Sequence, residues 1–137
     1  MTNKQTAREF FEACETGKGW DACQKWCRDG ATFSAQADAL ADVTTIEGYA
    51  EWMKGLLGPI PDGHYELKSF AEDEEHHNVT AAAVFHGTQT GETGNGPPTG
   101  KTVAADYVYV MDFEGDKISH MTKIWNDGHS LKQLGWA

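Results

Sequence analysis

Between about Thr2 and Glu15, the apolar residues Ala7, Phe10, Phe11 and Cys14 recur at helical spacing, and Gly17 is placed to end the run. This predicts a first amphipathic helix. Trp20, Cys23, Trp26 and Cys27 repeat the spacing over a shorter span, which predicts a second helix stopped by Asp29-Gly30. Ala31 to Ala35 reads as a short strand, followed by a loop rich in Ala and Asp that carries Asp38 and Asp42. Thr44-Thr-Ile-Glu47 has the form of a capping box opening a third helix, with Ile46, Tyr49, Ala50, Met53, Leu56 and Leu57 as its apolar stripe. Gly58-Pro59 and Pro61 end that helix.

The pattern then turns to strands, over His64 to about Glu72, Val79 to Thr90, Lys101 to Phe113 and Lys117 to Asn126. The turn Glu72–Asn78 is charged, and Glu114-Gly-Asp116 joins the last two strands. Gly91–Gly100 is rich in Gly and Pro and too polar for a core, which predicts a long hairpin loop. Asn126-Asp127 stands where the last strand enters a terminal helical segment, and Asp127 suits an N-cap there. Helices followed by a run of strands give an α+β arrangement, with the helices on the concave face of a curved, mostly antiparallel sheet. No repeat or composition boundary divides residues 1–137, so a single domain is expected.

Composition narrows the partners. The 11 Lys and Arg against 21 Asp and Glu give a net charge of −10, which repels phosphate backbones and anionic headgroups. Neither nucleic acid nor membrane is an expected partner. The polar start Met-Thr-Asn-Lys-Gln has no signal-peptide core, and a cytoplasmic location is expected. Cys14, Cys23 and Cys27 are odd in number and lack a CxxC spacing, so neither a disulfide framework nor a metal site is expected.

On the strand Lys101–Phe113, Val103, Ala105, Tyr107, Tyr109 and Met111 share one face, opposite Ala104, Asp106, Val108 and Val110. Periodicity leaves open which face is inner. Both are apolar enough to be covered, which predicts a homodimer through the outer face of the sheet. His86 is a candidate proton shuttle, and the pattern leaves open whether it faces inward or lies on the surface.

Four segments carry a family resemblance: Phe85-His-Gly-Thr-Gln-Thr-Gly-Glu92, Pro97-Pro-Thr-Gly-Lys101, Ile118 to Asp127, and Leu131-Lys-Gln-Leu-Gly135. From about Thr6 to Gly135 the chain resembles SnoaL-like, polyketide cyclase-like proteins of the nuclear transport factor 2-like superfamily. The resemblance implies a cystatin-like fold closed as a cone-shaped barrel around an apolar cavity. It also implies a small, largely apolar, carbonyl-bearing or polycyclic ligand, and no cofactor.

Ketosteroid isomerases, remote members of that superfamily, carry Asp-x-x-x-Phe where this chain has Tyr109-Val-Met-Asp-Phe113. The comparison places Tyr109 inward beside Tyr107, with Met121, Lys123 and Trp125 from the last strand and Phe10 and Trp26 from the helices. The isomerase tyrosine falls on Phe10 and its base on Ala35, so steroid isomerisation is rejected. The cyclases' His-Trp-Asp falls on Met121-Thr-Lys123, and the histidine of their Gly-Thr-His-Thr-Gly falls on Gln89. Lys123 therefore stands where they carry an acid/base aspartate. A lysine amine of lowered pKa is a base or Schiff-base former. Lys123, Tyr109 and His86 are the catalytic candidates, and Phe10, Trp26, Tyr107, Met121 and Trp125 the ligand-binding ones. A non-catalytic module that holds an apolar ligand is the alternative, with Lys123 in a structural ion pair with Asp38 or Asp42.

Overall fold

Thr2 caps the first helix, α1 (Asn3–Glu15), in a reciprocal capping box with Gln5, and the apolar spacing makes the helix bury Ala7, Phe10, Phe11 and Cys14 along one side. The computed structural model describes residues 1–93 and 97–136. Helix α2 (Trp20–Cys23) is a single turn that tightens into a 3-10 turn over Gln24–Trp26. Strand β1 (Cys27–Ala35) therefore starts at Cys27, earlier than the spacing of Trp20, Cys23, Trp26 and Cys27 predicts. Cys27 belongs to the sheet because its backbone pairs with Ile118.

Helix α3 (Ile46–Leu56) is capped by Thr45, whose hydroxyl accepts the Gly48 N–H at 3.0 Å, one residue later than the Thr44–Glu47 pattern predicts. Four strands follow: β2 (His64–Asp73), β3 (Asn78–Thr88), β4 (Thr102–Glu114) and β5 (Lys117–Trp125). Helix α4 (Asp127–Leu134) closes the chain. The predicted hairpin loop between β3 and β4 is described only outside residues 94–96. Its start lies so close to the α3–β2 connection that a Cβ on Gly91 would stand 2.0 Å from the Gly58 carbonyl oxygen, so only glycine fits.

The expected cone-shaped barrel is not formed. The five strands lie in the order β1-β5-β4-β3-β2, and the edge strands β1 and β2 do not pair with each other, so the sheet is open. Closure needs a ladder between those two edges. Instead, the chain leading into α3 occupies the free edge of β1, where Phe33 N–H donates to the Thr44 carbonyl at 2.9 Å. The sheet is also mixed, because β1 runs parallel to β5 while the other pairs are antiparallel.

With no barrel to seal it, the inner face is covered by helices. Tyr109, Met111 and Met121 of the sheet are buried against Phe10 and Phe11 of α1 and Tyr49 and Met53 of α3. Burying each large side chain contributes about 1.5–3 kcal/mol. Phe11 packs edge-on to Tyr65 and Tyr109, with ring centroids 4.9 and 5.2 Å away.

Candidate functional site: a chamber between sheet and helices

At the α4 end the packing is incomplete, leaving a chamber of about 90 Å³ between the inner face of the sheet, α3 and α4. Its walls are mainly apolar, from Met53, Leu56, Ile60, Phe85, Val103 and Leu134. Helix α4 is fixed over it by the Trp125 indole N–H donating to Ser130 Oγ at 2.9 Å and by Asp127, whose carboxylate accepts the Ala39 N–H at 2.8 Å. Asn126, not Asp127, caps the helix. Gly135 ends it in the left-handed region at φ 75°, and Trp136 N–H bonds back to the Leu131 carbonyl at 2.9 Å. That reversal turns Trp136 onto the chamber.

Cross-strand register brings the polar groups together. Tyr109 pairs with Lys123, and Tyr107 with Trp125, all on the inner face. Lys123 is only 6% exposed. Its ammonium donates to the Tyr49 hydroxyl at 2.8 Å, and that hydroxyl meets the Tyr109 hydroxyl at 2.6 Å. The ring centroids of Trp125, Tyr49, Trp52 and Tyr107 lie 4.5, 5.0, 5.4 and 5.4 Å from the ammonium. Aromatic faces attract a cation but do not replace its hydration. Burial accordingly lowers the Lys123 pKa to about 8, against the opposing pull of Glu15.

Glu15 is a site residue that neither spacing nor resemblance indicates. It lies at the C-terminal end of α1, is buried, and lines the chamber with Lys123. Burial raises its pKa, and Lys123 and the nearby Tyr109 and Tyr107 hydroxyls pull it back. Among the described residues, the buried side-chain polar atoms without a hydrogen-bond partner are Glu15 Oε1, the Tyr107 hydroxyl and Trp136 Nε1. All three residues line this chamber. The only sequence signal for Glu15 is a carboxylate closing an amphipathic helix on its apolar side, at the end where the helix dipole disfavours it.

Of the other residues singled out in the sequence, Tyr107 and Trp125 line the chamber with Lys123. Tyr109, Phe10 and Met121 are fully buried behind it. Trp26 is half-buried and packs under the Lys25 ammonium. His86 points to the outer face, where Nε2 lies 3.2 Å from Glu66 and the ring stacks on His64. Gln89 is buried and holds the loop, its amide donating to the Gly91 carbonyl and accepting the Thr99 N–H. The acid facing Lys123 is Glu15, and neither Asp38 nor Asp42 forms a salt bridge with it.

The SnoaL-like polyketide cyclase family profile matches residues 5–134. Among solved structures, IdmH from Streptomyces antibioticus, a candidate polyketide cyclase, is 18% identical with a TM-score of 0.80, over 98% of this chain and 99% of that one. AclR from Streptomyces galilaeus, a candidate hydroxylase, is 21% identical with a TM-score of 0.77, over 98% and 85%. A candidate SnoaL-like polyketide cyclase from Jannaschia sp. CCS1 is 17% identical with a TM-score of 0.78, over 98% and 92%. No curated protein matches in sequence. At these identities the solved structures speak for the fold, while the profile spans nearly the whole chain and its helix-covered sheet. The chain belongs to the SnoaL-like polyketide cyclase family.

Proposed function

We propose that the chamber takes a small, largely apolar molecule bearing a carbonyl, and that the protein moves a proton next to that carbonyl using side chains alone. The observation that carries this reading is the buried Lys123 ammonium, which opens onto the chamber and is held by Tyr49. Below about pH 8 it keeps its proton. A carbonyl oxygen accepting from it gains negative charge as the neighbouring C–H bond breaks, and a fixed ammonium in an apolar chamber stabilises that charge more than water does. Tyr109 acts one step removed, through the Tyr49 hydroxyl that positions the ammonium. His86 lies outside the chamber and takes no step in this scheme.

Size limits the substrate. A cavity of about 150 Å³ accommodates benzene, so the present 90 Å³ holds at most one small ring. A polycyclic molecule would extend past Trp52 and Trp136 into the groove lined by Pro59 and Pro97. The test is exchange of the α-hydrogens of cyclopentanone in D2O, followed by proton NMR. Wild type is expected to exchange them above the buffer rate, and Lys123→Met to lose roughly 100-fold or more. Binding without exchange would favour the second reading, a non-catalytic ligand-binding module. That reading is supported by Gln89, whose amide is consumed by the loop.

The outer face supports a homodimer in this reading. Ala82, Val108 and Ile124 stand in register across β3, β4 and β5, and Ile124 is 60% exposed. Light scattering showing a monomer at micromolar concentration would refute it.

A further inference from the structure

Glu15 breaks two electrostatic rules at once. A carboxylate at a helix C-terminus meets the negative end of the dipole, and a buried one loses its hydration. Neither penalty is offset by a close ion pair, since the short salt bridges among the described residues do not include Glu15. Its Oε1 has no hydrogen-bond partner. Glutamine would be easier to bury, and a residue that violates local rules at a cavity wall marks a position kept for use. The second orphan at this wall, the Tyr107 hydroxyl, has no hydrogen-bond partner at bonding distance and lies near enough to Glu15 to pull on its carboxyl, so it can turn to the oxygen of a bound carbonyl.

We infer that Glu15 is the catalytic residue that takes and returns the proton, acting on a neutral, enolisable ketone or aldehyde whose oxygen is held by the Lys123 ammonium and the Tyr107 hydroxyl. This rests on the carbonyl-directed reading above. The Glu15 carboxylate, at the chamber wall, removes a proton from the carbon beside the carbonyl. The C–H electron pair becomes the C=C bond of the enolate, and the carbonyl π pair moves onto oxygen, which accepts from Lys123 and Tyr107. Return of the proton from Glu15 to the same or a conjugated carbon reverses these shifts, with no net change in electrons. A carboxylate substrate is disfavoured because it brings a second negative charge beside Glu15.

The groups facing Glu15 are Lys123 from β5, Tyr107 and Tyr109 from β4, Tyr49 from α3, and its neighbour Cys14, itself hydrogen-bonded to Cys23 of α2. The three tyrosines and Cys14 are all pushed upward. The rate is therefore expected to rise with pH as Glu15 ionises and to fall above about 8 as Lys123 loses its proton.

The test measures cyclopentanone exchange for wild type, Glu15→Gln and Glu15→Asp across about pH 5 to 9, with thermal melts confirming folding. Glu15→Gln is expected to lose roughly 100-fold or more and its low-pH limb, while Glu15→Asp keeps a limb at a reduced rate. If Glu15→Gln stays within about threefold of wild type while Lys123→Met is inactive, the inference is overturned and the carbonyl reading survives. A wild type that exchanges nothing overturns both. Should Glu15→Gln not fold, Glu15→Asp decides, because a rate and profile identical to wild type would exclude Glu15 as the base.

Discussion

On the outer face of the sheet, His120 sits between Thr32 Oγ1 at 2.7 Å and Ser34 Oγ at 3.1 Å, and His86 leans on Glu66. On the inner face, Glu15 Oε1 and the Tyr107 hydroxyl have no partner, and Lys123 has one hydroxyl and a set of aromatic rings. The outer groups add little by being paired, because water serves them equally well. The inner groups have no such alternative, so each carries an energetic cost that a ligand's polar atoms would relieve.

The largest effect separating the faces is on packing. Phe11→Ala, in the buried cluster with Tyr65 and Tyr109, is expected to cost about 3–5 kcal/mol in urea denaturation. A loss below about 1 kcal/mol would mean that the inner face is not close-packed.

Next comes pH dependence. Lys123 has a folded pKa of about 8 against 10.5 for the free side chain, so the unfolded chain binds more protons between those values. Stability of the wild type should rise with pH through that window, by about 3 kcal/mol relative to Lys123→Met. Below about 8 the difference should be flat with respect to this group. Equal pH profiles for the two proteins would place the ammonium in water.

Tyr49→Phe removes the acceptor of Lys123 and the partner of Tyr109, and should cost about 1–3 kcal/mol. In the Lys123→Met background the loss should shrink, since only the Tyr109 contact then remains. An undiminished loss in that double-mutant cycle would show that Tyr49 and Lys123 are not coupled. The smallest effect belongs to the outer face: Ile124→Glu should change protomer stability by less than about 0.5 kcal/mol. Its readout is association, because the same change abolishes a dimer built on that face.

Helical spacing located α1 and α3, and strand composition located β2 to β5, because burial on one side imposes a period that the sequence must carry. The caps show the limit of this logic. Thr44 and Thr45 offer the same hydroxyl, and the turn of the chain along β1 decides that Thr45 is the one used. Similarly, Cys27 fits the helical spacing of Trp20 and Cys23, yet its pairing with Ile118, distant in sequence, takes it into the sheet.

The inward placement of Lys123, Tyr107, Tyr109 and Trp125 was legible only through resemblance, since alternation gives two faces without saying which is covered. Glu15 was hidden because a carboxylate near a helix end ordinarily lies in water. By itself the sequence determined α1, α3 and the strands β2 to β5, the acidic balance and the family. Tertiary structure decided that the sheet stays open, that α4 and Trp136 cover one end of it, and that Glu15 and Lys123 share a chamber. Those outcomes depend on contacts between residues far apart in the chain, and periodicity along the sequence records which side of an element is buried but not what meets it there.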